Sequence, residues 1–215
     1  MKNRIKTILR NITRNLGFEL TKYTPQQMAL LRSQPNLSFR DFLVEEALLP
    51  KGEISLFEAI FLGNLVRNLE DDGPIIEIGT LFGRSTLVMA TQKSIEINLV
   101  TVDNYSWNPL GISTEAHFRI TQKILLEAKR KLNVHQIKSD KKEFYRTYQD
   151  GSPTLVFLDA VHTYEETKED ILWAKHSKTK IICGHDYHKQ NHPGVVRAVD
   201  ELGGPKKLVE TLWVL

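Results

Sequence analysis

Short apolar runs alternate with amphipathic stretches from residue 55 to the end of the chain. Short, mostly apolar runs near 75–79, 98–103, 154–159 and 180–184 predict buried strands, and a further strand is expected near 134–138. Between them, stretches near 84–93, 114–132, 141–149, 164–176 and 194–202 predict helices. A further helix is expected over 56–67, with Ser55 as its cap. Asp71-Asp72-Gly73-Pro74 is a turn that delivers the first strand, and residues 207–215 predict one or two closing strands. Repeated strand–helix units build a parallel sheet with helices on both faces, an α/β fold. In such sheets ligands bind beyond the carboxyl ends of the strands. That rule lines up Gly79, Asp103, Ser139, Asp159 and Asp186 along one rim.

The first 54 residues have a different pattern. Ile5, Ile8, Leu9, Ile12 and Leu16 recur at helical spacing, and residues 1–22 carry six basic side chains against Glu19 alone. This is a basic amphipathic helix, suited to packing on its own domain or a dimer partner, to a membrane surface, or to a nucleic acid. Residues 23–50 contain Pro25, Pro35 and Pro50 and read as loop and short helices capping a site. Two regions are therefore expected, an extension over 1–54 and an α/β domain over 55–215.

The net charge of +3, with 41% hydrophobic and 26% charged residues, is ordinary for a soluble globular chain. No apolar stretch reaches the roughly 18 residues of a membrane span. The lone Cys183 sits in an apolar run, so it reads as a buried thiol in a protein of the reducing cytosol. The chain has no basic patch interleaved with aromatics over its core, so no nucleic-acid partner is expected.

The segment Glu77-Ile78-Gly79-Thr80-Leu81-Phe82-Gly83-Arg84-Ser85 carries the first chemical signal. A strand feeding a helix through a glycine turn leaves backbone N–H groups open to a ligand. The plainer reading is a tight turn that needs glycine for its geometry. Gly79 and Gly83 lack the third glycine of a dinucleotide cradle, and no P-loop pattern is present. Asp103 ends the second strand, where a carboxylate can accept from ribose hydroxyls. A second signal is Asp159-Ala160-Val161-His162 and Gly184-His185-Asp186, at the ends of two later strands. Two carboxylates beside imidazoles suit a divalent cation. Capping of the next helix is the plainer role for Asp159.

Together these motifs resemble the class I S-adenosylmethionine (SAM)-dependent methyltransferases. The stretches 157–164, 184–187 and 194–200 are similar to a small O-methyltransferase-like group that includes metal-dependent macrolide sugar O-methyltransferases and relatives of cephalosporin hydroxylase. The resemblance implies a Rossmann-like, doubly wound, mostly parallel seven-stranded sheet. It implies that Gly79, Thr80 and Gly83 line SAM, that Glu77 supports the loop and that Ser85 starts the helix. It further implies that Asp103 holds the ribose, that Asn104 or Tyr105 lies next to the adenine, and that Ser139 and Asp140 flank that ring. Asp159 and Asp186 would ligate Mg²⁺ together with His185, and His162 would be the general base. Many relatives have an acid where this chain has His185, which favours a softer metal or none.

The activity implied is metal-assisted O-methylation of a sugar, a glycosylated natural product or a small phenol. Tyr105, Trp107, His117 and Phe118 are candidates for the acceptor pocket, against an ordinary core role. A SAM-binding domain without turnover and a nicotinamide-dependent oxidoreductase on a similar fold are the competing readings. A homodimer or a membrane-surface contact through the first helix is compatible with the pattern.

Overall fold

A computed structural model describes residues 53–70, 73–107 and 110–215, together with Pro25, Gln26 and Ala29, which are helical and exposed. The expected basic helix over 1–22 lies outside the described residues, as does all but those three of the segment 23–50. The chain divides into two units, Met1–Asn36 and Leu37–Leu215; every element named below belongs to the second.

Helix α1 (Leu56–Arg67) opens with a capping box. Glu58 N–H donates to Ser55 Oγ, and Ser55 N–H donates back to the Glu58 carboxylate. There follow β1 (Ile75–Ile78), α2 (Arg84–Gln92), β2 (Leu99–Asp103), α3 (Thr114–Ile124), α4 (Leu126–Lys131) and β3 (Val134–Lys138). The second half comprises α5 (Lys141–Thr147), β4 (Leu155–Leu158), α6 (Tyr164–His176), β5 (Ile181–Gly184), α7 (Pro193–Glu201), β6 (Lys207–Val209) and β7 (Leu212–Val214).

The sheet has seven strands in the order β3-β2-β1-β4-β5-β7-β6. The first five pair in parallel, and β7 joins β5 and β6 antiparallel. Alternate strand residues feed two cores. Ile75, Leu99, Leu155 and Cys183 face Leu62, Val66 and Met89 of α1 and α2. Ile76, Val100, Val156 and Ile182 face Ile171 and Ala174 of α6 and Val195 and Val199 of α7. This two-sided burial explains why β1, β2, β4 and β5 read as mostly apolar runs, whereas β3 at the edge does not.

One expected helix, 114–132, is divided at Leu125. The backbone ladder continues through the break, since Leu125 N–H donates to Thr121 O and Lys129 N–H donates to Leu125 O. Leu125 itself is fully buried against Gly83, whose missing Cβ would lie 2.7 Å from Leu125 Cδ2. The distortion serves that contact. The chain leaves β1 for β2 on one side, while β4 returns on the other. The sheet therefore has its topological switch point between β1 and β4, where open α/β sheets bind ligands.

Candidate active site

The glycine turn after β1 is held from three sides. Glu77, fully buried, accepts from Ser85 Oγ (2.5 Å) and Thr86 Oγ1 (2.5 Å) in the first turn of α2. It thereby ties the strand to the helix start. Burial pushes its carboxyl up to about 7, against the lowering effect of the Ser85, Thr101 and Thr86 hydroxyls. Asp103 Oδ2 accepts from the backbone N–H groups of Thr80 and Leu81 (2.9 Å each), and Oδ1 accepts from Tyr105 N–H (2.6 Å). From α3, Thr121 Oγ1 donates to Leu81 O, and His117 Nε2 lies 3.1 Å from the same oxygen. Gly83 caps α2 in the left-handed region (φ 85°) with no side-chain hydrogen bond, so the helix N-terminus has donors to offer.

Gly79 has a separate reason to be glycine. A Cβ there would lie 1.9 Å from the carbonyl oxygen of Asp159, at a φ of +101°. The turn after β1 and the tip of β4 are in backbone contact, and no side chain fits between them.

Asp159, His162, His185 and Asp186 come together at the tips of β4 and β5. His162 Nε2 lies 3.1 Å from Asp186 Oδ2 and 3.6 Å from Asp159 Oδ1. His185 Nδ1 lies 3.5 Å from Asp186 Oδ1 and 3.7 Å from Asp159 Oδ1. His192, just before α7, adds its Nε2 at 3.6 Å from Asp186 Oδ1. His185 and Asp186 are buried, while His162 and His192 are about a third exposed, so the cluster is open on the histidine side. Asp186 has φ 62°, which is costly for a residue with a side chain and is typical of functional sites.

The electrostatics follow from that crowding. Burial works against the cationic form of His185, but Asp159, Asp186 and Glu58 outweigh it and push the imidazole up to about 12. Burial likewise opposes ionisation of Asp159, yet His162 and His185 hold its carboxyl down at about 2. His162 is raised above its ordinary value: burial opposes this, and Asp159 and Asp186 override it.

These residues fit a divalent cation. Among the described residues, His162 Nε2, His185 Nδ1 and Asp186 Oδ2 are buried without a hydrogen-bond partner, and they point toward one another. Asp159, His185 and Asp186 form one group with metal-ligand spacing, and His162, Asp186 and His192 form another. The glycine turn fits a cofactor with hydroxyls less generously than the sequence suggests. An ionised carboxylate has about four acceptor positions, and backbone N–H groups take three of those on Asp103.

Several expected neighbours lie elsewhere. Tyr105 does not lie open to an adenine ring; it is fully buried, packed edge-on against His117 and tilted against Phe118, with its hydroxyl accepting from Gln136. His117 is fully buried and braces the glycine turn, so neither it nor Tyr105 is a surface for an acceptor. Trp107 is 57% exposed. Asp140 caps α5 through Lys142 N–H and is exposed, Ser139 is half-buried beside it, and Asn104 is exposed and accepts from Ser106 N–H. Thr80 is buried against Thr101.

Three participants escaped the sequence: Glu58, His192 and Thr211. Glu58 was legible only as the third residue of a capping box. The structure shows it also reaching His185. His192 stands before Pro193 with no motif around it, and Thr211 arrives through the closing hairpin.

The comparisons with known proteins agree with this geometry. No curated protein matches the sequence significantly. Among solved structures, an O-methyltransferase from Bacillus cereus in complex with S-adenosylhomocysteine (SAH) is 17% identical, with a TM-score of 0.55 over 90% of this chain and 82% of that one. TomG from Streptomyces achromogenes, an O-methyltransferase of tomaymycin synthesis bound to SAM, is 19% identical, with a TM-score of 0.54 over 85% and 77%. CalS11, a TDP-rhamnose 3'-O-methyltransferase of calicheamicin biosynthesis, is 16% identical, with a TM-score of 0.57 over 91% and 96%. These likenesses concern the fold. The sequence pattern of a methyltransferase domain family matches residues 76–187, which run from β1 past β5 and contain both the glycine turn and the Asp159–Asp186 cluster. With more than half of its length matched, the chain belongs to that methyltransferase domain family.

Proposed function

We propose that this protein is a SAM-dependent O-methyltransferase that acts on a hydroxyl of a sugar, a glycosylated natural product or a small phenol with help from a divalent metal. The observation that carries the reading is the meeting of the glycine turn with the Asp159–His162–His185–Asp186 cluster at the switch point of the sheet. SAM supplies an electrophilic methyl group. The uncapped start of α2, the turn at Gly79, Thr80 and Gly83, and the last acceptor position of Asp103 are what the chain offers for holding it. Ser139 and Asn104, which follow β3 and β2, would extend that surface beyond the carboxyl ends of the strands.

A hydroxyl is a poor nucleophile until its proton leaves. A divalent cation held by Asp159, His185 and Asp186 would supply Lewis-acid character that lowers the hydroxyl pKa. His162, part-exposed at the edge of the cluster, is the residue suited to accept the proton, with Asp159 and Asp186 beside Nε2 stabilising the imidazolium. The adjacency of the two half-sites would hold donor and acceptor in line, where positioning supplies much of the rate. A sugar acceptor gains support from the likeness to the TDP-rhamnose enzyme.

The test is methyl release from SAM over a panel of nucleotide sugars, glycosides and phenols. Turnover with at least one hydroxyl acceptor is expected. His162→Ala should lower kcat by about 10²- to 10⁴-fold while SAH affinity stays unchanged. SAH binding with no methyl release to any hydroxyl would leave only a binding domain.

A further inference from the structure

Three carboxylates surround His185, and they do not play the same part. Glu58, on α1, meets the inner nitrogen: its Oε2 lies 3.1 Å from His185 Nε2. All four of its acceptor positions are taken. Ser55 N–H and His185 Nε2 approach Oε2, while Thr211 N–H and Oγ1–H donate to Oε1. Thr211 Oγ1 gives its one proton to Glu58 Oε1, so His185 Nε2, 2.9 Å from that hydroxyl, donates to it and carries a proton; in the neutral ring the lone pair is then on Nδ1. That Nδ1 faces Asp159 and Asp186 at 3.7 and 3.5 Å, is buried, and has no hydrogen-bond partner among the described residues. A lone pair and two anionic oxygens directed at one point repel, so this point holds either a proton on Nδ1 or a metal cation in its place.

We infer that Glu58 is a positioning residue for a metal centre, holding His185 in the tautomer that presents Nδ1, and that Asp159, His185 and Asp186 thereby select a first-row transition-metal dication over Mg²⁺. Mg²⁺ favours oxygen ligands and keeps several waters, whereas imidazole suits the borderline metals. A carboxylate behind a ligating histidine fixes both ring orientation and tautomer and raises the basicity of the ligand. Nitrogen donors also lie on the flank of Asp186, where His162 Nε2 and His192 Nε2 approach it at 3.1 and 3.6 Å. Thr211, in the turn before β7, ties Glu58 to His185, its hydroxyl lying 2.7 Å from Glu58 Oε1 and 2.9 Å from His185 Nε2.

This inference rests on the metal reading proposed above, and its test is independent of turnover. Full-length protein freed of metal and labelled with ¹⁵N in its histidines is titrated with Zn²⁺ and, separately, with Mg²⁺. Long-range ¹⁵N–¹H spectra should show His185 with Nδ1 bound to Zn²⁺ and Nε2 protonated. Calorimetry should show Zn²⁺ or Co²⁺ bound at least about 100-fold more tightly than Mg²⁺. Glu58→Gln should weaken Zn²⁺ binding by about 10- to 100-fold with an unchanged circular dichroism spectrum. Should that variant fail to fold, the wild-type spectra alone decide the tautomer. Zn²⁺ on Nε2, equal affinity for Mg²⁺, or no Zn²⁺ binding at all would overturn the inference; in the last case a protonated His185 is itself the cation. SAH calorimetry on the same metal-free protein reports the donor half of the proposed function separately, so loss of one reading does not hide the other.

Discussion

Glu77 offers a quantitative check on the buried chemistry of the glycine turn. It is fully buried in β1, and its carboxyl is raised from 4.5 to about 7 because burial outweighs the Ser85, Thr101 and Thr86 hydroxyls. The folded state thus binds a proton that the unfolded chain releases, so stability falls as pH rises from about 4.5 to about 7 and then levels off. At about 1.4 kcal/mol per pKa unit, the ionised carboxylate costs about 3 kcal/mol of stability at pH 8. Glu77→Gln keeps the shape and removes the charge. It also turns one of the two hydroxyl donors against an amide NH₂, a loss of about 1 kcal/mol. Near pH 5, where the unfolded carboxyl is already mostly ionised, the two proteins should therefore be about equally stable, and at pH 8 the variant should lead by about 2 kcal/mol. Urea unfolding of both proteins at the two pH values, at fixed salt and without cofactor, measures the swing. A difference between them that moves by less than about 1 kcal/mol across the window would refute the argument that burial controls this carboxyl.

Other consequences can be checked alongside. Gly79→Ala should lose about 3 kcal/mol or more, since the new Cβ meets the Asp159 backbone at a left-handed φ, and metal affinity should fall with it; thermal melts and metal calorimetry report both. Lys141→Met strands the buried Asp170, which Lys141 Nζ meets at 2.7 Å, and should cost about 3–5 kcal/mol by urea unfolding at pH 8. The cost should shrink at pH 5, where the uncompensated acid can take a proton. Gly184→Ala should lose about 1–3 kcal/mol, because its Cβ would lie 2.4 Å from the Trp213 ring, and the Trp213 near-ultraviolet signal should change with it.

The centre of the sheet was legible because its strands are buried on both faces and are therefore mostly apolar. Ile75–Ile78 and Leu155–Leu158 could hardly be anything else in so short a span. The placing of Asp159 and Asp186 followed from the same rule, since parallel strands bring their carboxyl ends to one rim. Other contacts were not legible, for distinct physical reasons. Glu58 satisfies a local cap and a partner 127 residues away at once, and the local role absorbs the signal. Tyr105 and His117 look like pocket residues from their position after β2. Tyr105 is turned inward by a left-handed backbone (φ 59°), and His117 by the inner face of α3, features no single residue type announces. Gly79 is expected to line a cofactor, yet the neighbouring strand already demands a glycine there.

The touching backbones of Gly79 and Asp159 act as a rigid jig. Adjacent parallel strands sit about 4.8 Å apart, and that spacing alone sets the gap between the two halves of the crevice. No rotamer can widen it. Acceptors of different bulk would therefore have to be accommodated by the outer loops, with the central gauge unchanged.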